Sequence, residues 1–303
     1  MPGVLAHIAG ADGGDGWGVL RLWSFDPIVI FAVLIPGVLY ARGLKRWTDK
    51  PSWLPTWRPY FFYAGIFLVF IALSSPIDVL ADDLFFMHMV QHIILQMVGP
   101  PLILVGAPTT PVLKGLPRRL RLGLVRPIVR NGAVRTIYNT LTFPLIAWLI
   151  FVITSWSWHF IDGAYEAALR HGGIHILEHL TFVFAAMLLW WTLIDPRPLR
   201  SRLAYPFRVI VLVVTLFHTV AIGAAITFRD EVLYPFYIGR GEPWNISVLD
   251  DQQAGGATMW VVGVMMILIA LVVTLSVWFD RQEKRSRLAE ASLEQAGRRE
   301  SPA

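Results

Sequence analysis

Seven apolar stretches, each close to the ~20 residues that a membrane-crossing helix needs, divide the chain. They are Phe25–Tyr40, Trp57–Leu73, Asp83–Val105, Thr140–Trp158, Gly173–Ile194, Pro206–Thr227 and Ala257–Phe279. Polar, mostly basic segments separate them. The pattern predicts an all-α polytopic membrane protein with seven transmembrane helices. A short outer tail (1–24) precedes the transmembrane domain (25–279), and a charged cytoplasmic tail (280–303) follows it. No internal repeat or second domain is visible. Pro100 and Pro101 should kink or break the third stretch, because proline removes a helical donor and clashes with the preceding turn. Pro144 falls near the start of the fourth, where proline is tolerated.

Charge then orients the spans. Of the 26 Lys and Arg residues, all but Arg21, Arg170, Arg229 and Arg240 fall in segments of one parity. The opposite side is acidic, with Asp78, Asp82, Asp83, Asp230, Glu231, Glu242, Asp250 and Asp251. Basic loops stay in the cytoplasm, so the N-terminus is expected outside and the C-terminus inside. The tail from Arg281 alternates charge and reads as a short helix or an unstructured, orienting segment. The first 24 residues lack a basic start and an apolar run, so they do not read as a signal peptide.

Composition agrees with the hydropathy pattern. The chain of 303 residues is 55% hydrophobic and only 16% charged, with a mean hydropathy of +0.57. Soluble domains carry about 25% charged residues. There are 13 Trp and 18 Phe, suited to membrane interfaces as well as to packing. The absence of Cys excludes disulfides, thiolate metal sites, iron–sulfur clusters and cysteine nucleophiles. The net charge of +5 follows topology, so no nucleic-acid partner is expected.

The chemistry lies in the histidines. His88 and His92 are four apart, and so are His175 and His179. Residues at this spacing share one helix face, with Cβ atoms about 5–6 Å apart, so each pair can offer two imidazoles to one ion. Given the orientation, His88, His92, His175 and His179 all fall in the outer part of the bilayer. His159 ends the fourth span on the outer side, and His218 lies past the midpoint of the sixth, which runs outward. Ionisable groups inside a membrane are costly and mark functional sites. Glu178 shares a face with His175 and is placed to receive an imidazole N–H. Met87, Met89 and Met259 add thioether sulfur, although methionines in apolar helices usually serve packing. Imidazole with thioether favours copper, then zinc or iron. A single membrane histidine often only bonds a neighbouring helix. That bland reading weighs as much as ligation for His218 and His159, and His7 is set aside.

Two further stretches need a reading. His175-x-x-Glu178-His179 fits the inverted zinc-peptidase pattern, but the match is short and lacks its wider context. No enzyme is expected. The run Asp250-Asp251-Gln252-Gln253-Ala254-Gly255-Gly256 precedes the seventh stretch. It reads either as a capped outer loop, with Asp251 and Gln252 capping the helix and the glycines allowing close backbone approach, or as an acidic mouth that draws cations toward the histidines.

Several blocks resemble one family. His88-Met89-Val90-Gln91-His92, followed by Gly99-Pro100-Pro101-Leu102 and Gly106-Ala107-Pro108, is similar to the third span of the membrane-integral cytochrome c oxidase assembly factor CtaG. The blocks His175–Phe182, Gly223–Phe228 and Asp251–Gly256 with Met259-Trp260 resemble its later spans. The likeness runs from about Phe25 to Phe279. It implies a seven-span protein of the bacterial plasma membrane that helps mature a haem–copper oxidase, with a role in copper supply. The resemblance supports His88, His92, His175 and His179 as the motif histidines. It implies oxidase subunits as transient partners, with periplasmic copper donors upstream and the lipid bilayer as solvent.

The expectation is therefore an outer copper site built from His88, His92, His175 and His179, with His159 and His218 as additions. Three rivals stand beside it. A b-type cytochrome would use one His from each of two facing helices for haem. A metal transporter would need polar residues continuing inward, and the inner halves of the spans are almost purely apolar. A scaffold with structural histidines would bind no metal.

Overall fold

The computed structural model describes residues 22–161, 163–195, 197–241 and 244–300. His7, Arg21, Glu242, residues 301–303 and nearly all of the expected outer tail lie outside them. The described residues form helices and connecting turns, with no strand. The main helices are α1 Pro27–Arg46, α2 Arg58–Ser74, α3 Phe85–Val105, α4 Pro144–Phe160, α5 Gly172–Leu193, α6 Tyr205–Thr227 and α7 Val248–Glu300. Helices α1, α3, α5, α6 and α7 are long and apolar enough to cross a membrane. Gly132–Leu141 and α4 together make a sixth such segment if the bent pair is one span, and α2 is a shorter apolar helix of 17 residues.

Most boundaries fall within two residues of the sequence expectation, and four differences have physical causes. Helix α1 continues past Tyr40 to Arg46, and Asp26 starts it by accepting from the Ile28 N–H at 2.7 Å. The fourth stretch is not one helix from Thr140 to Trp158. It bends by 67° between Leu141 and Pro144. Phe143 precedes proline, which disfavours the helical region for it, and its backbone is extended at φ −69°, ψ 127°.

In α3 the kink expected at Pro100 and Pro101 takes the form of a wider turn. A π-helical segment, Ile94–Val98, lies between Phe85–Ile93 and Gly99–Val105, so the prolines fall in the first turn of the second piece. The π turn absorbs the missing donors without ending the span.

The largest difference concerns α7. The polar run Asp250–Gly256 is not a loop but the first turns of the helix. At the other end the charged tail continues the same helix to Glu300. Its 53 residues extend about 80 Å, so it projects well beyond the ~30 Å hydrocarbon layer.

Within lipid, helices associate through close packing of small residues and interhelical hydrogen bonds rather than the hydrophobic effect. Helix α7 packs along α6 and against the first half of α3, α2 packs against the second half of α3, and α4 packs against α5. The glycine pair of α7 works as expected. A Cβ on Gly256 would stand 2.6 Å from Thr227 Oγ1 and 2.9 Å from the Gly223 carbonyl of α6. Gly255 lies flush against Phe85 of α3. These contacts bring α3, α6 and α7 together at the end of the bundle where the histidines lie.

Candidate metal centre

The first half of α3 carries His88 and His92 on its inward face. Both are buried, as are Phe85, Met89 and Gln91. Helix α5 presents His179 and Glu178, also buried, with His175 half-buried one turn nearer the helix start. The two i,i+4 pairs face each other. Ring centroids are 4.3 Å apart for His88–His92, 4.2 Å for His175–His179, 5.2 Å for His88–His175 and 5.4 Å for His92–His179. His159, from the last turn of α4, lies 5.9 Å from His92. Five of the six histidines singled out from the sequence thus meet at one place.

One donor atom each from His88, His92, Glu178 and His179 lies within 4.8 Å of the other three. With first-row metal–nitrogen bonds of about 2.0–2.1 Å, donors on opposite sides of an ion sit ~4 Å apart. Small side-chain rotations would close the group around one ion.

The hydrogen bonding points the same way. Among the described residues, Nε2 of His88, His159, His175 and His179, both ring nitrogens of His92 and both Glu178 oxygens are buried without a hydrogen-bond partner. Glu178 Oε1 stands 3.8 Å from His92 Nε2, beyond hydrogen-bond reach. Leaving so many polar atoms unpaired in an apolar interior costs several kcal/mol. A shared cation would satisfy them together. Glu178 faces His92 across the helix interface rather than bonding His175 on its own helix.

Two histidines have their opposite nitrogens fixed. His159 Nδ1 lies 2.8 Å from the Ser155 carbonyl, which can only accept, so Nδ1 carries the proton and Nε2 a lone pair. His88 Nδ1 lies 2.9 Å from the Tyr165 hydroxyl and 3.1 Å from that of Tyr237. Tyr237 in turn donates to the Ala81 carbonyl at 3.1 Å. A chain of donation from His88 to Tyr165, from Tyr165 to Tyr237 and from Tyr237 to Ala81 uses every proton. It leaves the His88 Nε2 lone pair facing the other buried donors. Such partners behind a ligating imidazole set its tautomer and orientation.

Sequence reasoning did not single out these tyrosines. Tyr165 belongs to the short helix Ala164–Arg170, and Tyr237 to a single turn, Pro235–Tyr237. Neither segment has a period that aims a side chain.

Other expected residues have different places. His218 accepts from the Trp156 indole N–H at 3.2 Å through Nδ1, outside the ligand group. It lines a cavity of about 30 Å³ with His92, Gln96 and Ser155. Met89 and Met259 pack in an aromatic cluster with Phe85, Tyr165, Tyr234 and Tyr237. Met87 immediately precedes His88 on α3 and so points about 100° around the helix from it.

Asp251 does not form a mouth. Its carboxylate accepts from the Phe85 and Phe86 N–H groups at 2.6 and 3.0 Å, capping α3 rather than its own helix. Gln252 holds the connection between α6 and α7, accepting from Leu233 N–H at 2.7 Å and donating to the Glu231 carbonyl at 3.0 Å. Ser247 caps the start of α7, its Oγ accepting from the Asp250 N–H at 3.1 Å and donating to the Asp250 carboxylate at 2.6 Å. Gln91, also unmarked in the sequence, ties α3 to Asp78 and to the Ala72 carbonyl at 2.9 and 2.8 Å.

The cytochrome c oxidase caa3 assembly factor family matches residues 38–281 of the chain. Among curated proteins the chain is 26% identical over 273 residues to uncharacterised proteins of Mycobacterium bovis and Mycobacterium tuberculosis, covering 88% of this chain and 40% of each relative. It is 24% identical over 274 residues to one of Mycobacterium leprae, covering 89% of this chain and 41% of the relative. The chain therefore spans about two fifths of the length of the curated relatives it matches. No solved structure matches. With four-fifths of its length matched, and with the histidine-bearing helices inside that stretch, the chain belongs to the cytochrome c oxidase caa3 assembly factor family, CtaG.

Proposed function

We propose that this protein is a copper-handling assembly factor that delivers the metal to a haem–copper oxidase in the bacterial plasma membrane. The observation that carries the reading is the set of buried, unpartnered donors that α3 and α5 aim at one point. His88, His92, His179 and Glu178 hold the ion, and His159 approaches from α4. His175, less buried than the rest, is the outermost ligand and the first to meet an arriving ion. Met89 packs among aromatic residues and Met259 lines the small cavity beside His92, so the donors that converge are imidazoles and a carboxylate. Imidazoles with one carboxylate admit copper, zinc or iron, and family membership favours copper. A site with more donors than an ion needs suits ligand exchange, in which a partner's ligands replace these stepwise.

All seven apolar helices cross the bilayer in this reading, including the bent fourth and the 17-residue α2, at the short end of the spanning range. The N-terminus is outside and the basic end of α7 is in the cytoplasm. The histidines then face the compartment from which copper arrives. Packing disfavours haem. The directions a macrocycle would fill around an iron are occupied by further imidazoles and a carboxylate. The nearby cavity of about 30 Å³ also leaves no room for a peptide substrate.

The test in cells is the copper content of the purified oxidase. With His88→Ala/His92→Ala in place of the wild type, the oxidase is expected to keep its haem and lose copper. An oxidase with full copper in that strain overturns the delivery role.

A further inference from the structure

The opposite end of the bundle holds a second built feature, unrelated to the histidines. Helix α5 ends at Leu193, α6 begins at Tyr205, and α7 leaves the apolar layer near Trp278. Between them lies a cavity of about 320 Å³ lined by Arg200, Ser201, Tyr205, Arg208, Arg281 and Arg285, among others. Its one acidic lining residue among those described is Asp195.

Asp195 is fully engaged. It accepts from Arg208 at 2.7 Å and from Ser201 N–H at 3.1 Å, and pairs with Arg281 at 3.5 Å and Arg197 at 4.0 Å. Arg208 is buried, and each of its three nitrogens donates, Nε and Nη1 to the Leu203 and Leu193 carbonyls at 3.0 Å each. Three guanidinium groups thus share one carboxylate. Arg200 and Arg285 line the cavity as well, and neither has an ion-pair partner among the described residues. The pocket keeps a strong excess of positive charge with free donors. The Arg208 and Arg281 guanidinium carbons also lie over the Tyr205 ring, 4.5 and 4.9 Å from its centroid, which holds both groups at the cavity wall.

Position and shape say what would neutralise it. Tyr205 and Trp278 are aromatic residues of the kind that mark the headgroup level of a bilayer. Leu203 lines this cavity and also an apolar groove of about 510 Å³ that follows α4 and α6 past Phe207, Ile210 and Val214. A polar, cationic chamber beside an apolar groove matches a headgroup with its acyl chain. Basic pockets between spans at the cytoplasmic face take anionic headgroups, and arginine grips phosphate oxygens in pairs.

We propose that this cavity binds the phosphate group of an anionic phospholipid, with Arg200, Arg281 and Arg285 as its ligands and the groove along α4 and α6 holding an acyl chain. The bound lipid joins the ends of α5, α6 and α7.

The test uses the full chain purified in a neutral detergent. Melting temperature and native mass spectra are recorded with phosphatidylglycerol, with phosphatidylcholine, or with millimolar inorganic phosphate. Wild type is expected to gain several degrees and retain bound lipid with phosphatidylglycerol only. Arg200→Gln/Arg285→Gln removes two exposed side chains without carboxylate partners, so folding should persist while this response is lost. Arg287→Gln, which removes a cation of the same helix outside the cavity, should respond like wild type. An equal phosphatidylglycerol response in the double variant, or an equal loss in Arg287→Gln, overturns the site. A shift with inorganic phosphate as large as with the lipid overturns the lipid assignment.

Discussion

Replacing Asp251 separates two roles that its sequence context leaves open. The carboxylate is 3% exposed and accepts two backbone N–H groups, of Phe85 at 2.6 Å and Phe86 at 3.0 Å. Those donors are among the four that any helix start leaves unpaired, and here they begin the helix that carries His88 and His92. In Asp251→Ala both lose their acceptor where water has little access. Loss of a helix cap costs about 0.5–2 kcal/mol, and each buried orphan about 1–3 kcal/mol. Relief of the buried charge offsets part of this. A net loss of about 2–4 kcal/mol is expected. At roughly 2–4 °C per kcal/mol, the melting temperature of the purified protein should fall by about 5–15 °C. Asp251→Asn keeps one acceptor oxygen and should lose about half as much. Copper bound per folded chain, measured below the melting range, should be unchanged in both variants. The reasoning fails if Asp251→Ala melts like wild type, or if it stays folded and takes up copper much more slowly, as an acidic mouth would require.

Three further outcomes follow from the site and the bundle. Tyr165→Phe/Tyr237→Phe removes the acceptors behind His88 and should weaken copper binding about 10–100-fold in competition with a chromogenic chelator; unchanged affinity would show that the tyrosines only fill space. His218→Ala should leave copper per chain unaltered by elemental analysis, since its Nδ1 accepts from Trp156 and the ring proton therefore sits on Nε2, leaving no free lone pair, and loss of metal would put His218 among the ligands. For Asp195, burial pushes the carboxyl up, but the hydrogen bond and charge of Arg208, with Ser201 and Arg281, outweigh it and hold the group below the usual carboxylate range. A depressed folded value means stability that is present above about pH 4 and is lost as pH falls through that lower value. The melting-temperature gap between wild type and Asp195→Asn should therefore be widest near neutrality and close in acid, and a gap that does not vary with pH would contradict this.

Much of the architecture is legible in the chain because bilayer physics writes it in long apolar runs. The histidine pairs are legible for the same reason, since i,i+4 spacing fixes a shared face whatever surrounds it. Three things escape that logic. The bend before Pro144 depends on Phe143 adopting an extended backbone, and an uninterrupted hydropathy run hides it. The wide turn Ile94–Val98 moves Pro100 and Pro101 to a helix start, so the proline pair expected to kink or break the span reshapes it without ending it. Asp251 and the tyrosines behind His88 act on partners 166, 77 and 149 positions away, and nothing periodic links them. The polar run before the seventh stretch reads as a loop because it is polar and because Asp and Gly favour turns. Its carboxylate and amides instead find partners on α3 and in the connection between α6 and α7, which lets those residues stay helical.

The central claim is that His88, His92, His179 and Glu178 hold copper. The most direct measurement is elemental analysis with an optical spectrum on detergent-purified protein after Cu(I) loading, wild type beside His88→Ala/His92→Ala. Copper in wild type, its loss from the variant, and no Soret band in either are expected. Wild type that binds no copper, or a variant that binds as much as wild type, would contradict it.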